Sequence, residues 1–546
     1  MPTEMIKKSR VNVQEIIIEQ EFLENQSANY RAYTQDLADF ILPRKAWITS
    51  IRTKGERVKF NFLYDSTGIR ALRIMSAGFH SNLTNPSSRW FALETMNKEL
   101  MKDGEVRAWF RKVEDTMLAA LNASNFYNII QEFYTDFGGF GTGTFLMLSD
   151  VKDGVRFTSI PVQQANRVLD GNDRMTAFYR KFRMTARQAN GMWGAKAGES
   201  VIKSLEKKQF EEFEFIHYVG PRSERQAGKE DALNMPFKSV WIAKKDKHLI
   251  YEGGFMEMPY MSEVFYKDES DPNGFSPAMD VFADIKLVNA MKRTIIRAAM
   301  KQADPPLVMP SRGFILPLNF NPVGINYRDS KTANDAIQAL PVGQGKLGIT
   351  VDLLELQQKN IEEGMFVPLF RALNEITKQM TIPEVQRRVA ENMVLLGPVV
   401  GRATHGILDP VITRLFNMMY RAGQLPEPPE ILQDQDFTPV YLSPLAKAQR
   451  GSEIGDIEAF LGDVQAIASV LPQALDKIDE DKTIDVLARI RGISPEIIRE
   501  DEVIARMRQH RAEQDQMIAQ LQMAQGAAGI AKDGAAAEKA SAEAKA

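Results

Sequence analysis

Val281-Phe-Ala-Asp-Ile-Lys-Leu-Val-Asn-Ala-Met-Lys-Arg-Thr-Ile-Ile-Arg-Ala-Ala-Met-Lys-Gln302 runs for 22 residues without a helix breaker. At the rise of an α-helix it predicts a rod of roughly 33 Å. The turn-rich Asp271-Pro-Asn-Gly-Phe-Ser-Pro277 precedes it and ends in Ser before Pro, the grammar of a helix start. Asp304-Pro-Pro306 stops it, because proline lacks the N–H donor and clashes with the preceding turn. Lys286, Arg293, Arg297 and Lys301 are spaced by 7, 4 and 4 and so share one face, with Lys292 beside them. Ile285, Val288, Met291, Ile295 and Ala299 form an apolar face.

The segment that follows, Pro305 to Gly348, has prolines at 305, 306, 310, 317, 322 and 341 and room only for small strands. A second helix is expected over Thr350–Phe366, where Asp352, Glu355, Glu362 and Glu363 stand against the single Lys359. The first rod is net +4 and the second net −3. A basic rod and an acidic rod joined by a stiff tip predict an antiparallel hairpin. It would project from a larger body and pair its charges with itself or with copies of itself.

The 546 residues have room for two to four domains. A net charge of −3 gives no global basic field for tight nucleic-acid binding. The absence of cysteine excludes disulfides and thiolate metal sites and fits synthesis in a reducing cytoplasm. The start lacks the apolar core of a signal peptide, and no run of ~18 apolar residues occurs, so a soluble chain without a membrane partner is expected.

Along the chain, residues 11 to 42 alternate at helical spacing, and basic residues then cluster at Arg44, Lys45, Arg52, Lys54, Arg57 and Lys59. That cluster reads either as a solvated loop or as a contact for phosphates or an acidic neighbour. In the next segment Asp65 or Ser66 can cap a helix whose Ala71, Ala77 and Gly78 permit close packing. Residues 87–93 read as a buried strand, with helices over Gly104–Asn122 and Tyr127–Phe137. An antiparallel sheet follows, from segments near 144–148, 154–162, 174–184, 210–219, 237–244 and 260–266, interrupted by a helix near 185–204. Leu369 to Thr381 reads as a flexible connection. A long helix from Pro383 to Ala422 then has kink points at Gly397-Pro398, Gly401 and Asp409-Pro410. Helices continue to about Gln520, before an Ala-rich end. The fold class is α+β, mostly helical.

Motifs for chemistry are weak. Gly343-Gln-Gly-Lys-Leu-Gly348 matches GxGxxG, but Pro341 occupies the place of the strand that a dinucleotide fold requires. No P-loop sequence is present, and the five histidines are scattered without a metal-ligand spacing. Residues 483–499 mimic a helix-turn-helix, yet Glu496, Glu500, Asp501 and Glu502 would repel phosphate. No catalytic residue, cofactor or metal is expected. The basic stripe reads as a solvated face or, in a ring of copies, as stacked rings of charge that touch a phosphate backbone without reading bases.

Several stretches together carry a resemblance. They are Leu63-Tyr-Asp-Ser-Thr-Gly68, Gly78-Phe-His-Ser-Asn-Leu-Thr-Asn-Pro-Ser-Ser-Arg-Trp-Phe91, Gly274-Phe-Ser-Pro-Ala278, Asp304-Pro-Pro306, Leu395-Leu-Gly-Pro-Val-Val-Gly-Arg402 and Tyr441-Leu-Ser-Pro-Leu-Ala-Lys-Ala-Gln449. In order and spacing, over about residues 10 to 514, the chain resembles the portal, or head-to-tail connector, family of short-tailed double-stranded DNA bacteriophages. The resemblance implies a ring of twelve subunits at one capsid vertex, passing DNA inward and later outward and nucleating head assembly.

It also implies a parts plan. Residues 1–274 would form a wing, 275–304 and 350–370 two stem helices, and 305–349 a small α/β clip. Residues 371–381 would be a tunnel loop, 382–435 a long kinked helix completing the wing, 436–514 a helical crown, and 515–546 a barrel helix or a tail. On that plan Lys286, Lys292, Arg293, Arg297, Lys301, Asp352, Glu355 and Lys359 line the DNA channel. Arg371, Asn374, Lys378 and Gln379 sit in the tunnel loop, and Arg312, Arg328 and Lys331 of the clip face partners. The implied partners are double-stranded DNA, the terminase large subunit, scaffolding and major capsid proteins, a tail adaptor and internal core proteins. Two rival readings are another virion component, such as a tail adaptor or internal scaffold, and a DNA-processing hydrolase. The long hairpin with a separate helical region argues against the first. The lack of a convergent acidic cluster argues against the second.

Overall fold

A computed structural model describes residues 11–50, 61–97, 99–150, 154–226, 228–229, 231–268, 271–303, 307–308, 338–339, 347–375, 396–432, 437–442, 451–469, 473, 478–491, 503–514 and 516–518. The chain forms two compact units. One comprises Met1–Ala92, Val113–Pro426 and Thr438–Gln449, the other Leu93–Lys112, Glu427–Phe437 and Arg450–Ala546. Among the described residues no helix is long and apolar enough to cross a membrane.

The first unit opens with α1 (Val13–Gln26) and α2 (Ala28–Ile41), which occupy the stretch read at helical spacing. The break is at Ser27, inside the polar run Asn25-Gln-Ser-Ala-Asn29, whose residues hold a helix weakly. Then come α3 (Thr67–Leu83), β1 (Phe91–Thr95) and α4 (Gly104–Ala123), of which Leu93–Lys112 is counted with the second unit, and α5 (Phe126–Phe140). In α3 Ala71 and Gly78 are buried as packing residues, whereas Ala77 is exposed. Helix α5 carries the aromatic centre: Phe79 of α3 stacks on Tyr134 and meets Phe137 edge-on.

The strands between residues 142 and 264 form two antiparallel sheets rather than one. β2 (Thr142–Asp150), β3 (Gly154–Ser159), β4 (Ala165–Leu169) and β5 (Met175–Thr185) lead to α6 (Ala186–Trp193) and α7 (Glu199–Lys207). β6 (Glu212–Pro221), β7 (Phe237–Ala243), β8 (His248–Phe255) and β9 (Tyr260–Val264) follow. The orders are β4-β5-β6-β7-β8 and β3-β2-β9. β4 and β8 escape a reading of the sequence because buried Asn166 and Arg167 interrupt the apolar alternation of one and Gly253-Gly254 that of the other.

Alternation sends the two faces of the five-stranded sheet to different partners. Tyr179, Ile216, Tyr218 and Val240 pack against Ile16 and Ile17 of α1. Phe182, Phe213 and Phe215 pack against Ala186, Ala189 and Val201 of α6 and α7. On this second face, further along, Phe178 and Val219 meet Leu146 and Tyr260 of the three-stranded sheet. His217 lies buried there, with its ring nitrogens 2.6 Å from Tyr260 Oη and 2.9 Å from Ser239 Oγ and its ring stacked on Trp241. Burial holds its pKa well below the usual histidine value.

Asp271-Pro-Asn-Gly-Phe275, read as turns, is β11, paired with β10 (Tyr266–Asp268). After it come α8 (Pro277–Asp280), α9 (Phe282–Ala303), the strand pair β12 (Leu307–Val308) and β13 (Gln338–Ala339), α10 (Leu347–Gly364) and α11 (Val367–Glu375). A further helix occupies 396–403, widens to a π-turn at Thr404–Leu408 and continues as α12 (Asp409–Arg421). The π-turn lies just before Asp409-Pro410, where a kink is expected. Gly406 there faces Glu263 of β9 closely enough that a Cβ would come within 2.2 Å of the carboxylate. The unit closes with residues 438–442 of the segment that contains β14 (Phe437–Tyr441), where Leu442 N donates to Trp90 O and Tyr441 stacks on Trp90.

In the second unit α13 (Gly451–Ala468), α14 (Glu480–Arg491) and a helical stretch at 503–514 are described. Arg508 forms a two-pronged ion pair with Asp481. The helix-turn-helix mimic lies outside the described residues beyond Arg491, as does the Ala-rich end beyond Ile518. The mostly helical α+β reading holds.

Candidate nucleic-acid interface

The hairpin begins at Ser276, whose hydroxyl donates to Gly139 O and accepts from Met279 N. Pro277 follows at the first helical position, where its missing N–H costs nothing. Gly364, at the end of α10, lies against Val281 just ahead of α9, close enough that a Cβ would meet Val281 Cγ1 at 2.4 Å. Past the far end of α9, Leu307 pairs with Ala339 and Val308 with Gln338 in antiparallel register. α9 and α10 therefore run antiparallel.

Its root is held by a polar clamp. Asn289 is buried on α9, and its Oδ1 accepts from Tyr64 N at 2.7 Å and Asp65 N at 3.2 Å while its amide donates to Phe62 O at 2.9 Å. Asp65 Oδ2 accepts from Lys292 of α9 at 3.1 Å and from Gln358 of α10 at 2.9 Å, and Oδ1 accepts from Thr67 N. Of the two caps expected for α3, Asp65 makes this bond, and Ser66 makes no side-chain cap. Burial alone would raise the pKa of Asp65, but the bonds from Thr67 and Lys292 outweigh it and hold the carboxyl below its usual range.

The clamp divides the expected cations. Lys292 turns toward the body and is partly buried. Lys286, Arg293, Arg297 and Lys301 are exposed. Lys286 sits over the Phe282 ring at 4.2 Å and 3.8 Å from Asp36, and Arg293 lies over the Tyr64 ring at 5.8 Å. Asp352, Glu355 and Lys359 of α10 are exposed too. Among the described residues no salt bridge joins α9 to α10. Charge pairing within the hairpin, one of the two expected uses of its charges, is therefore not seen there.

α10 ends where Phe366 takes a positive φ of 56°, an uncommon conformation for a bulky side chain. Burial of Val367, Leu369 and Phe370 holds the turn. The chain then continues as α11 rather than as a flexible connection from Leu369. Arg371 lies on that helix and forms a two-pronged ion pair with Glu362, at 2.9 and 3.2 Å, across the turn. Asn374 is in the last turn of α11. Lys378, Gln379, Arg312, Arg328 and Lys331 lie outside the described residues.

Sequence reasoning missed Asn289, Asp65 as a clamp, and Gln358. One signal was available: a weak helix former on the buried side of a long helix needs a polar partner. Of the two readings of the basic cluster at 44–59, contact with an acidic neighbour holds for Lys45, which reaches both oxygens of buried Asp136 at 2.7 Å. Arg52, Lys54, Arg57 and Lys59 are outside the described residues. Among the described residues no group of three or more metal-ligating side chains is placed to hold an ion.

Residues 14–498 match the family described as bacteriophage head to tail connecting protein. The chain is 30% identical over 520 residues to a probable portal protein of Bordetella phage BPP-1, covering 94% of this chain and 93% of the relative. It is likewise 30% identical over 519 residues to the portal protein of Salmonella phage epsilon15, covering 93% of each. A match over nearly the whole length, on an α+β fold bearing this antiparallel hairpin, establishes that the chain belongs to the bacteriophage head-to-tail connecting, or portal, family and has a portal function.

Proposed function

We propose that twelve copies of this chain close into a ring at one capsid vertex, with the hairpin as stem and the exposed face of α9 turned toward a central channel for double-stranded DNA. The observation that carries this reading is the row Arg293, Arg297 and Lys301, exposed and unpaired with α10, on a helix whose root is fixed by Asn289 and Asp65. Repeated around a ring, each position becomes a circle of positive charge. Such circles contact phosphates without reading bases, and the acids Asp352 and Glu355 on α10 moderate their grip. Weak, sequence-blind contact suits a strand that must slide.

On this reading residues 305–349 face the terminase large subunit during packaging and a tail adaptor afterwards, and 371–381 narrow the channel. The ring would nucleate assembly with scaffolding and major capsid proteins and meet internal core proteins on the head side. The chain supplies the conduit, and the docked motor supplies the energy. Imaging with mass determination tests the reading: rings with a central hole and a mass near a dozen subunits support it. A discrete monomer or dimer, recovered also from assembled heads, would sink it.

A further inference from the structure

The five-stranded sheet is the middle layer of a slab, and the slab's two outer surfaces differ in charge. On one side α1 exposes Glu15, Glu19 and Glu21 and itself carries no lysine or arginine, although Lys244 beside it pairs with Glu21 at 3.0 Å and Tyr179 donates to Glu19. Among these acids stand two large apolar side chains one helical turn apart, Ile18 at 66% exposure and Phe22 at 65%. They border a shallow concavity shared with Asn12, Gln14, Glu15 and Glu19. On the other side α6, α7 and the turn after them expose Arg187, Lys196, Lys207 and Lys208, none ion-paired among the described residues, beside Glu206 and the pair Lys203–Glu199, so that residues 186–210 are net +3; Met192 is exposed there at 56% and Phe210 at 66%.

Solvation explains either set of charges alone. It does not explain why each surface also carries a pair of exposed apolar side chains, nor why the two are opposite in sign and back to back. Alternation along β5, β6 and β7 establishes that placement, since α1 packs on one sheet face and α6 and α7 on the other. A head-to-tail ring contact joins two different surfaces of the same subunit, and in a twelvefold ring, turning about 30° per copy, those surfaces must lie nearly back to back. Opposite charges there set register and favour the correct neighbour.

We infer that the α1 surface of one copy docks on the α6–α7 surface of the next, with Ile18 and Phe22 covered by the region of Met192 and Phe210 and ringed by acid–base pairs. The occupant of the exposed face of α1 is thus a second copy of this chain. The inference rests on the ring reading above but concerns different residues from the channel stripe, so the two can fail separately.

The chain contains no cysteine, so an introduced pair reports without background. Four double variants join Ile18→Cys or Phe22→Cys to Met192→Cys or Phe210→Cys, all at exposed positions. After mild oxidation of the assembled protein, denaturing electrophoresis should show a ladder from dimer upward for at least one double variant, and no ladder for any single variant. Strong dimers from I18C or F22C alone would reveal a two-fold contact and overturn the head-to-tail assignment. Rings that form normally while all four doubles stay monomeric on the gel would overturn the inference and leave the ring reading standing. That result is also expected if the chain's own first ten residues cover α1. Parent protein that forms no ring even in heads would overturn both.

Discussion

Gly78 and Phe370 meet with no space for a side chain between them: a Cβ on Gly78 would lie 2.2 Å from Phe370 Cδ1 and 2.9 Å from Phe370 Cβ. Phe370 is fully buried on α11, and its ring also meets Phe79 at 5.2 Å, so it cannot swing aside without opening the aromatic centre. Gly78→Ala is expected to destabilise the protein by about 1–3 kcal/mol, the usual cost of overpacking. The loss should appear as a lowered thermal midpoint, and Phe370→Ala, which removes Cγ and Cδ1, should cost less in the Gly78→Ala background than in the wild type. An unchanged midpoint for Gly78→Ala would refute the packing account.

The clamp at Asp65 makes a pH-dependent claim. Its folded-state pKa is lowered, so its contribution is fully present above the unfolded carboxyl value of about 3.9 and is lost as pH falls through the folded value. Asp65→Asn should therefore be less stable than the wild type at pH 6, and the gap should close on acidification below about 4. Lys292→Met removes one source of the shift and should move the closing point upward. Denaturation midpoints measured from pH 6 to pH 3 check this, and a gap that stays constant with pH would count against the clamp.

His217 supplies the opposite titration. Its folded-state pKa is depressed by burial, so the buried ring stays neutral while the unfolded chain takes up a proton below about 6.5. Wild-type stability is expected to fall from pH 7 to pH 5 by up to about 1.4 kcal/mol per pH unit below 6.5 from this group. His217→Gln should be less stable at pH 7 and lose that part of the slope. Equal slopes for the two proteins would show that His217 is not buried in the neutral form.

The hairpin was legible because its signals are local. Ser276-Pro277 starts it, Pro305-Pro306 lies just past the end of α9, and 22 uninterrupted residues fill the gap. The clamp was not legible, because Asn289 binds a segment 225 residues earlier and nothing in the spacing of Phe62 to Asp65 names a partner. Lys292 shows the same limit: helical periodicity places it beside the basic stripe, and only the fold shows that Asp65 takes it inward. α11 was misread because its helical run is short. It is held by burial of Val367, Leu369 and Phe370 more than by intrinsic propensity, and tertiary packing overrides local preference there.

The exposed stripe gives the prediction closest to function. Replacing Lys286, Arg293 and Arg297 together by Glu is expected to leave ring formation intact, because these side chains are exposed and make none of the clamp's bonds. Each copy would change by six charge units, so a ring would turn from attracting phosphate to repelling it. DNA packaging or retention in heads should then fall sharply. The defect should worsen at low salt, where repulsion is least screened, and ease as salt is raised. Arg371→Gln is the contrasting variant: Arg371 is paired with Glu362, so it should affect stability at the Phe366 turn more than DNA retention. Packaging assays over a range of ionic strength, with ring integrity followed by imaging, separate the two. Normal packaging by the triple variant would remove α9 from the channel wall even if the ring itself is confirmed.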